Sequence, residues 1–141
     1  MKVRLTFFAF LFISTILFIT LPGCQDYKRK AIELKHEGID LVYRTQFDQA
    51  IDVLQKSVKY NSNDPETYFF IGNAYYGKHL VDSAFSYYSK AIEVDPRFGQ
   101  AYVNRGRIYK ERNDRDNACR DWLKAEECGI MSMKEETKFC K

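Results

Sequence analysis

The chain is poor in the residues from which reactive sites are built. It has two histidines, His36 and His79, standing 43 positions apart with no partner ligand at metal-site spacing. That excludes a recognisable metal motif, and no metal is expected. The four cysteines, Cys24, Cys119, Cys128 and Cys140, include no CxxC pair. Seven glycines are scattered rather than gathered into a phosphate-binding loop, and no serine stands in a nucleophile motif. No cofactor and no enzymatic activity are expected. Charge imbalance is also small: 22 basic residues against 19 acidic ones leave +3. Bulk nucleic-acid binding needs a stronger basic footprint than that. Prolines number three, and two of them, Pro65 and Pro96, fall where helices are expected to begin and end.

What the chain does have is a 34-residue echo. Gly38, Gly72 and Gly106 recur at that period, as do Ala50, Ala84 and Ala118. Leu34, Tyr68 and Tyr102 match, and so do Leu41, Tyr75 and Tyr109. Asp48, Asp82 and Asp116 are identical in type, while Leu54, Tyr88 and Trp122 fill one large apolar position. Lys56, Lys90 and Lys124 keep their charge, and Ser57, Ala91 and Ala125 stay small. A fixed period in this range means one supersecondary unit copied and stacked. Each copy reads as two helices. In the second, Asp64-Pro65 opens a helix carrying Tyr68, Ile71, Gly72 and Tyr75 on one face. A second helix carries Ala84, Tyr87, Tyr88, Ala91 and Ile92 and stops before Asp95-Pro96. In the third copy Cys128-Gly129 supplies a C-cap glycine. The repeated aspartates are expected at the start of each second helix, where the helix dipole favours them, rather than as a carboxylate row.

This pattern resembles the tetratricopeptide repeat family. Counting Ala31, Pro65 and Gly99 as first positions, the small residues at the eighth and twentieth places match that family's, and Pro96 stands at its closing proline. The first and third copies carry Ser62 and Ile130 at the place of that proline and are less typical. The resemblance covers residues 31 to about 132. It implies an all-α solenoid with repeats at 31–64, 65–98 and 99–132. A short capping helix is expected at 133–141, with Met133 and Phe139 turned inward and Lys134, Glu135, Glu136 and Lys138 outward. The resemblance also implies a concave face lined by the first helix of each copy and a protein or peptide partner held there. Its contact positions fall on Lys35, Ile39, Tyr43, Phe69, Asn73, Tyr76, Arg107 and Lys110, among others. That surface runs from apolar and aromatic toward basic, which suits a peptide or helix with a hydrophobic anchor and an acidic end. For Phe69 and Tyr76, packing between repeats is the equal alternative. One subtype of the family clamps the terminal carboxylate of chaperones with Lys, Asn, Asn, Lys and Arg. Lys35 matches its first position, but Ile39, Phe70, Gln100 and Asn104 depart from the other four, so that clamp is not expected.

The first 23 residues stand outside the repeat. Lys2 and Arg4 precede an apolar run from Leu5 to Leu21, the layout of a secretory signal. It ends in Leu21-Pro22-Gly23-Cys24, which looks like a bacterial lipoprotein signal in which the cysteine thiol takes a diacylglyceryl (palmitate-type) anchor and becomes the new N-terminus. Pro22 departs from that pattern. An uncleaved anchor and an ordinary secreted protein are the alternatives. Cleavage before Cys24 would leave 20 of the basic residues against 19 acidic ones, a net +1. Residues 24–30 are expected as a polar tether, in which Lys28-Arg29-Lys30 either meets anionic headgroups or begins a solvated helix. The implied location is the bacterial cell envelope, outside the cytoplasm, where a disulfide is chemically permitted. Cys119 and Cys128 share one expected helix, about 13 Å apart, too far to bridge. A C-terminal segment folded back antiparallel would set Cys140 beside Cys119. A Cys119–Cys140 bridge is therefore expected, against the alternative of three free thiols. The resulting expectation is a membrane-tethered interaction scaffold. Its alternatives are an accessory or pilot-type lipoprotein that assembles or localises an envelope complex, and a structural subunit that oligomerises.

Overall fold

A computed structural model describes residues 22–131, 134–138 and 140. The apolar run of residues 1–21 lies outside them, as do Met133 and Phe139. Six helices form three pairs: α1 Pro22–Tyr43 with α2 Phe47–Tyr60, α3 Pro65–Gly77 with α4 Val81–Val94, and α5 Gly99–Glu111 with α6 Arg115–Glu127. A four-residue α7, Lys134–Thr137, follows. No strand occurs among the described residues. Each second helix packs on the first helix of the next pair, α1 also touches α3, and α7 lies against α6.

The helix ends follow from local chemistry. Asp64 caps α3, accepting from the Glu66 N–H at 3.1 Å and the Thr67 hydroxyl at 3.1 Å, with Pro65 at the first helical position. Asp114 caps α6 through the Asn117 N–H at 3.2 Å. Asp48, Asp82 and Asp116 sit in the first turns of α2, α4 and α6, as the period implies. The turn inside each pair is also periodic, though its residues differ. Thr45, His79 and Asn113 take φ of 59°, 60° and 60°. The following N–H groups of Gln46, Leu80 and Asp114 then return to the carbonyls of Leu41, Tyr75 and Tyr109 at 2.9, 3.0 and 2.9 Å. Each bond satisfies a carbonyl left over by the end of the first helix.

The 34-residue register is a packing register. A Cβ placed on Gly72 would lie 2.6 Å from Tyr88 Cε1, and one on Gly106 would lie 2.5 Å from Trp122 Nε1. Gly38 meets Leu54 in the same way. The eighth-position glycine is thus the seat of the large residue at the same register in the partner helix. Ala50, Ala84 and Ala118 are buried beside these crossings. Ser57 stays small for a related reason: its fully buried hydroxyl donates to the Ala31 carbonyl at 2.7 Å, tying α2 to α1. Between α5 and α6, the Arg105 guanidinium makes two 2.8 Å bonds to the buried carboxylate of Asp121 and a third, at 3.2 Å, to the Ser89 hydroxyl of α4. The repeats are also laced together at the surface. Lys78 pairs with Asp48, and Arg112 reaches Asp82 at 2.5 Å while stacking over the Phe85 ring at 4.7 Å.

One alternative left open is decided, and one expectation needs correction. The stretch 24–30 is helical, because nothing between Gly23 and Gly38 breaks a helix and Asp26–Arg29, Arg29–Glu33 and Lys30–Glu33 pair one turn apart. Glu136, expected to face outward, is half-buried, and its Oε2 has no hydrogen-bond partner among the described residues.

Candidate partner-binding groove

The first helices α1, α3 and α5 carry the expected contact residues, and the structure divides them into two groups. Asn73 and Tyr76 of α3 and Arg107 of α5 come together around a 260 Å³ cavity, with Phe47, Gly77, Tyr88 and Asn104 completing its wall. Its floor is a hydrogen-bonded chain. Asn73 Oδ1 accepts from the Tyr88 hydroxyl at 2.9 Å and from Asn104 Nδ2 at 3.0 Å, and Asn104 Oδ1 accepts from the Arg107 guanidinium at 3.3 Å. The Tyr76 hydroxyl donates to the Glu111 carboxylate. That bond, followed by partial burial, holds the Tyr76 phenol above its ordinary pKa. Burial pushes the Tyr88 phenol up further, so it stays a neutral donor. The cavity therefore joins apolar walls from Phe47 and the tyrosine rings to an exposed guanidinium fixed at one edge.

The remaining candidates are engaged elsewhere. Lys35 is spoken for within the fold: its ammonium lies 2.6 Å from Glu66 and 3.0 Å from Asp64, with 15% of the side chain exposed. Burial pulls its pKa down, and the two carboxylates together more than reverse this, leaving it raised. Phe69 is half-buried and packs against α4 and the N-cap residue of α5, 5.4 Å from Phe98 and 5.8 Å from Tyr88 between ring centroids. Ile39 is half-buried. Tyr43 is 75% exposed and stands edge-on to Phe70. Lys110 lies over the Trp122 ring at 5.8 Å and faces a separate 490 Å³ cavity beyond α6, along with Cys119 and Glu136. Asn104 and Phe47 were not among the expected contact residues. A signal for them existed in the spacing between repeats, where side-chain pairs recur 30 or 31 residues apart: Asp48–Lys78, Asp82–Arg112, Lys35–Glu66 and Asn73–Asn104.

At the far end of the stack Cys119 and Cys140 are joined by a disulfide, with Cα atoms 5.3 Å apart and S–S 2.02 Å. The segment carrying Cys140 is held a second time, where the Thr137 hydroxyl meets Glu126 at 2.8 Å. Cys128 is a free, half-buried thiol.

Family models described as "TPR repeat" and "Tetratricopeptide repeat" match residues 38–78, and 65–98 with 99–127, respectively. Among curated proteins, the human protein O-mannosyl-transferase TMTC1 is 34% identical over 65 residues, 43% of this chain and 7% of that protein. The bovine BBSome complex member BBS4 is 32% identical over 82 residues, 57% of this chain and 16% of that protein. The chain thus spans a small part of the length of either relative. Among solved structures, the first TPR domain of Spaghetti (RPAP3), bound to an HSP90 peptide, superposes with a TM-score of 0.72 at 21% identity, covering 79% of this chain and 90% of that one.

Proposed function

For a chain that belongs to the tetratricopeptide repeat family, we propose a membrane-tethered scaffold that holds a partner peptide or helix in the groove of α1, α3 and α5. The repeat stack is a protein–protein interaction module. The finer reading adds an acyl anchor on Cys24, a place in a bacterial envelope and an acidic, apolar-anchored partner. The cavity between α3 and α5 supports the partner half of this reading. Arg107 is exposed beside apolar walls, and its one hydrogen bond among the described residues, the 3.3 Å contact with Asn104, leaves most of its donors for a partner carboxylate. An apolar side chain against Phe47 and Tyr76, followed by an acidic one at Arg107, matches that layout.

The peptide named with the Spaghetti domain does not transfer to this chain. The position matching the chaperone clamp's first lysine is Lys35, which Asp64 and Glu66 neutralise. The other clamp positions hold Ile39, Phe70, Gln100 and Asn104. The membrane half of the reading is supported by Leu21-Pro22-Gly23-Cys24 and by the basic, then apolar, sequence before it.

The test is an affinity capture from cells expressing the wild-type chain or a Tyr43→Ala/Tyr76→Ala/Arg107→Ala variant. Each of the three side chains is exposed, so folding should survive. Loss of the captured partner with an unchanged helical spectrum is expected. A partner retained at wild-type yield overturns groove binding. In the same cells Cys24→Ala should abolish palmitate labelling, and unchanged labelling rejects the anchor.

A further inference from the structure

The end of the solenoid nearest Cys24 carries a surface that the repeat does not use. α1 starts at Pro22, ahead of the first repeat position at Ala31, and its opening turns lean on the end of α2. The Tyr27 and Tyr60 rings lie 5.7 Å apart, yet they are 60% and 42% exposed. Around them stand five exposed basic residues: Lys28, Arg29 and Lys30 on α1, and Lys56 and Lys59 on the last turns of α2. Two acids answer them. Asp26 pairs with Arg29 at 3.1 Å, while Glu33 lies 3.8 Å from Arg29 and 3.5 Å from Lys30. All four side chains are at least half exposed, so these pairs are weak. Lys28, Lys56 and Lys59 have no acidic partner among the described residues. A 460 Å³ cleft opens between Tyr27, Arg29, Lys30 and Tyr60, with Asp26 and Glu33 also on its wall.

We propose that this end of the molecule docks on an anionic lipid surface, with Tyr27 and Tyr60 at headgroup level and the five basic residues against lipid phosphates. The proposal rests on the reading that the chain is held to a membrane near Cys24. Lipid is favoured as the occupant by the net basic charge, which anionic leaflets attract, and by two phenolic rings, which suit the headgroup zone. Position is the third argument: Cys24 lies about one helical turn before Lys28, so a membrane attachment there brings the collar to the surface. Because residues 24–30 are part of α1, the docked helix would fix the tilt of the whole stack instead of leaving it on a loose cord.

The experiment uses the full chain, purified with its own membrane attachment and reconstituted into vesicles of pure phosphatidylcholine or of phosphatidylcholine with phosphatidylglycerol. Lysines are footprinted with acetic anhydride and read by mass spectrometry. Lys28, Lys30, Lys56 and Lys59 should label about threefold more slowly on the anionic vesicles, with Lys78, Lys90 and Lys124 unchanged. A Lys28→Glu/Lys59→Glu variant should lose the contrast at Lys30 and Lys56. Equal labelling on both vesicles overturns the proposal. Protection in intact cells but not on anionic vesicles also overturns it and assigns the patch to a protein. The mass of the N-terminal peptide keeps the two readings apart. An acylated Cys24 or an uncleaved 1–23 segment each holds α1 at the surface, so the footprint reads the collar either way. A chain that floats with neither vesicle overturns both.

Discussion

Replacing Gly72 with alanine should destabilise this protein, although glycine to alanine inside a helix ordinarily stabilises by about 1 kcal/mol. The new Cβ would sit 2.6 Å from Tyr88 Cε1 and 2.7 Å from Cδ1. Tyr88 has no room to give: it is 1% exposed, and its hydroxyl is held by Asn73 at 2.9 Å. α3 and α4 must therefore move apart by about 1 Å, at an overpacking cost of about 1–3 kcal/mol, typically larger than the propensity gain. The expected net loss is about 1 kcal/mol, which in a domain of this size lowers Tm by about 3–6 °C. Thermal melts followed by circular dichroism read it directly. The cause is checked by a double-mutant cycle with Tyr88→Leu, whose smaller side chain should absorb part of the methyl and make the two changes less than additive. A Gly72→Ala protein that melts at or above the wild-type temperature refutes the account of the helix crossing.

Three further outcomes follow from the same geometry. Cys140→Ser, or reduction of the wild type, should cost about 3 kcal/mol, from a disulfide closing a sequence separation of 21 residues, and non-reduced peptide mapping should recover a Cys119–Cys140 pair. Asp121→Ala should cost about 3 kcal/mol in urea unfolding, because it strands the half-buried Arg105 guanidinium without its carboxylate. Tyr88 gives a pH dependence of definite sign. Its folded pKa is raised, so above about pH 10 the unfolded chain loses the phenolic proton while the folded chain keeps it. Stability should be unaffected by this group below pH 10 and fall above it by up to about 1.4 kcal/mol per pH unit. Tyr88→Phe should flatten that limb in denaturant titrations.

The repeat was legible because the same steric problem recurs three times. Gly38, Gly72 and Gly106 are small for the sake of Leu54, Tyr88 and Trp122, so both columns keep the 34-residue register. The aspartates were legible for a similar reason, since every second helix has the same dipole to satisfy. The turns were not. Thr45, His79 and Asn113 share a left-handed backbone but no side-chain chemistry, and only the pull of the flanking helices demands that conformation. The groove was half legible. Counting positions finds the correct face of a helix but not which side chains neighbouring elements have already taken. Phe69 is claimed by Phe98 and Tyr88, and Lys35 by Asp64 and Glu66. Those claims fall at spacings set by helix stacking rather than by the 34-residue period. The helical run through residues 24–30 was half legible: Lys28-Arg29-Lys30 read as a helix start or a headgroup contact within a polar tether, and the one-turn-apart charge pairs support helix.

Site-specific photo-crosslinking in living cells tests the central claim most directly. A photoreactive amino acid is placed at Tyr76 or Arg107, facing the cavity between α3 and α5, or at the exposed Lys90 or Glu93 on α4. The account predicts one partner protein crosslinked from Tyr76 and Arg107 and absent from Lys90 and Glu93. A partner captured from Lys90 and Glu93, with Tyr76 and Arg107 silent, contradicts it.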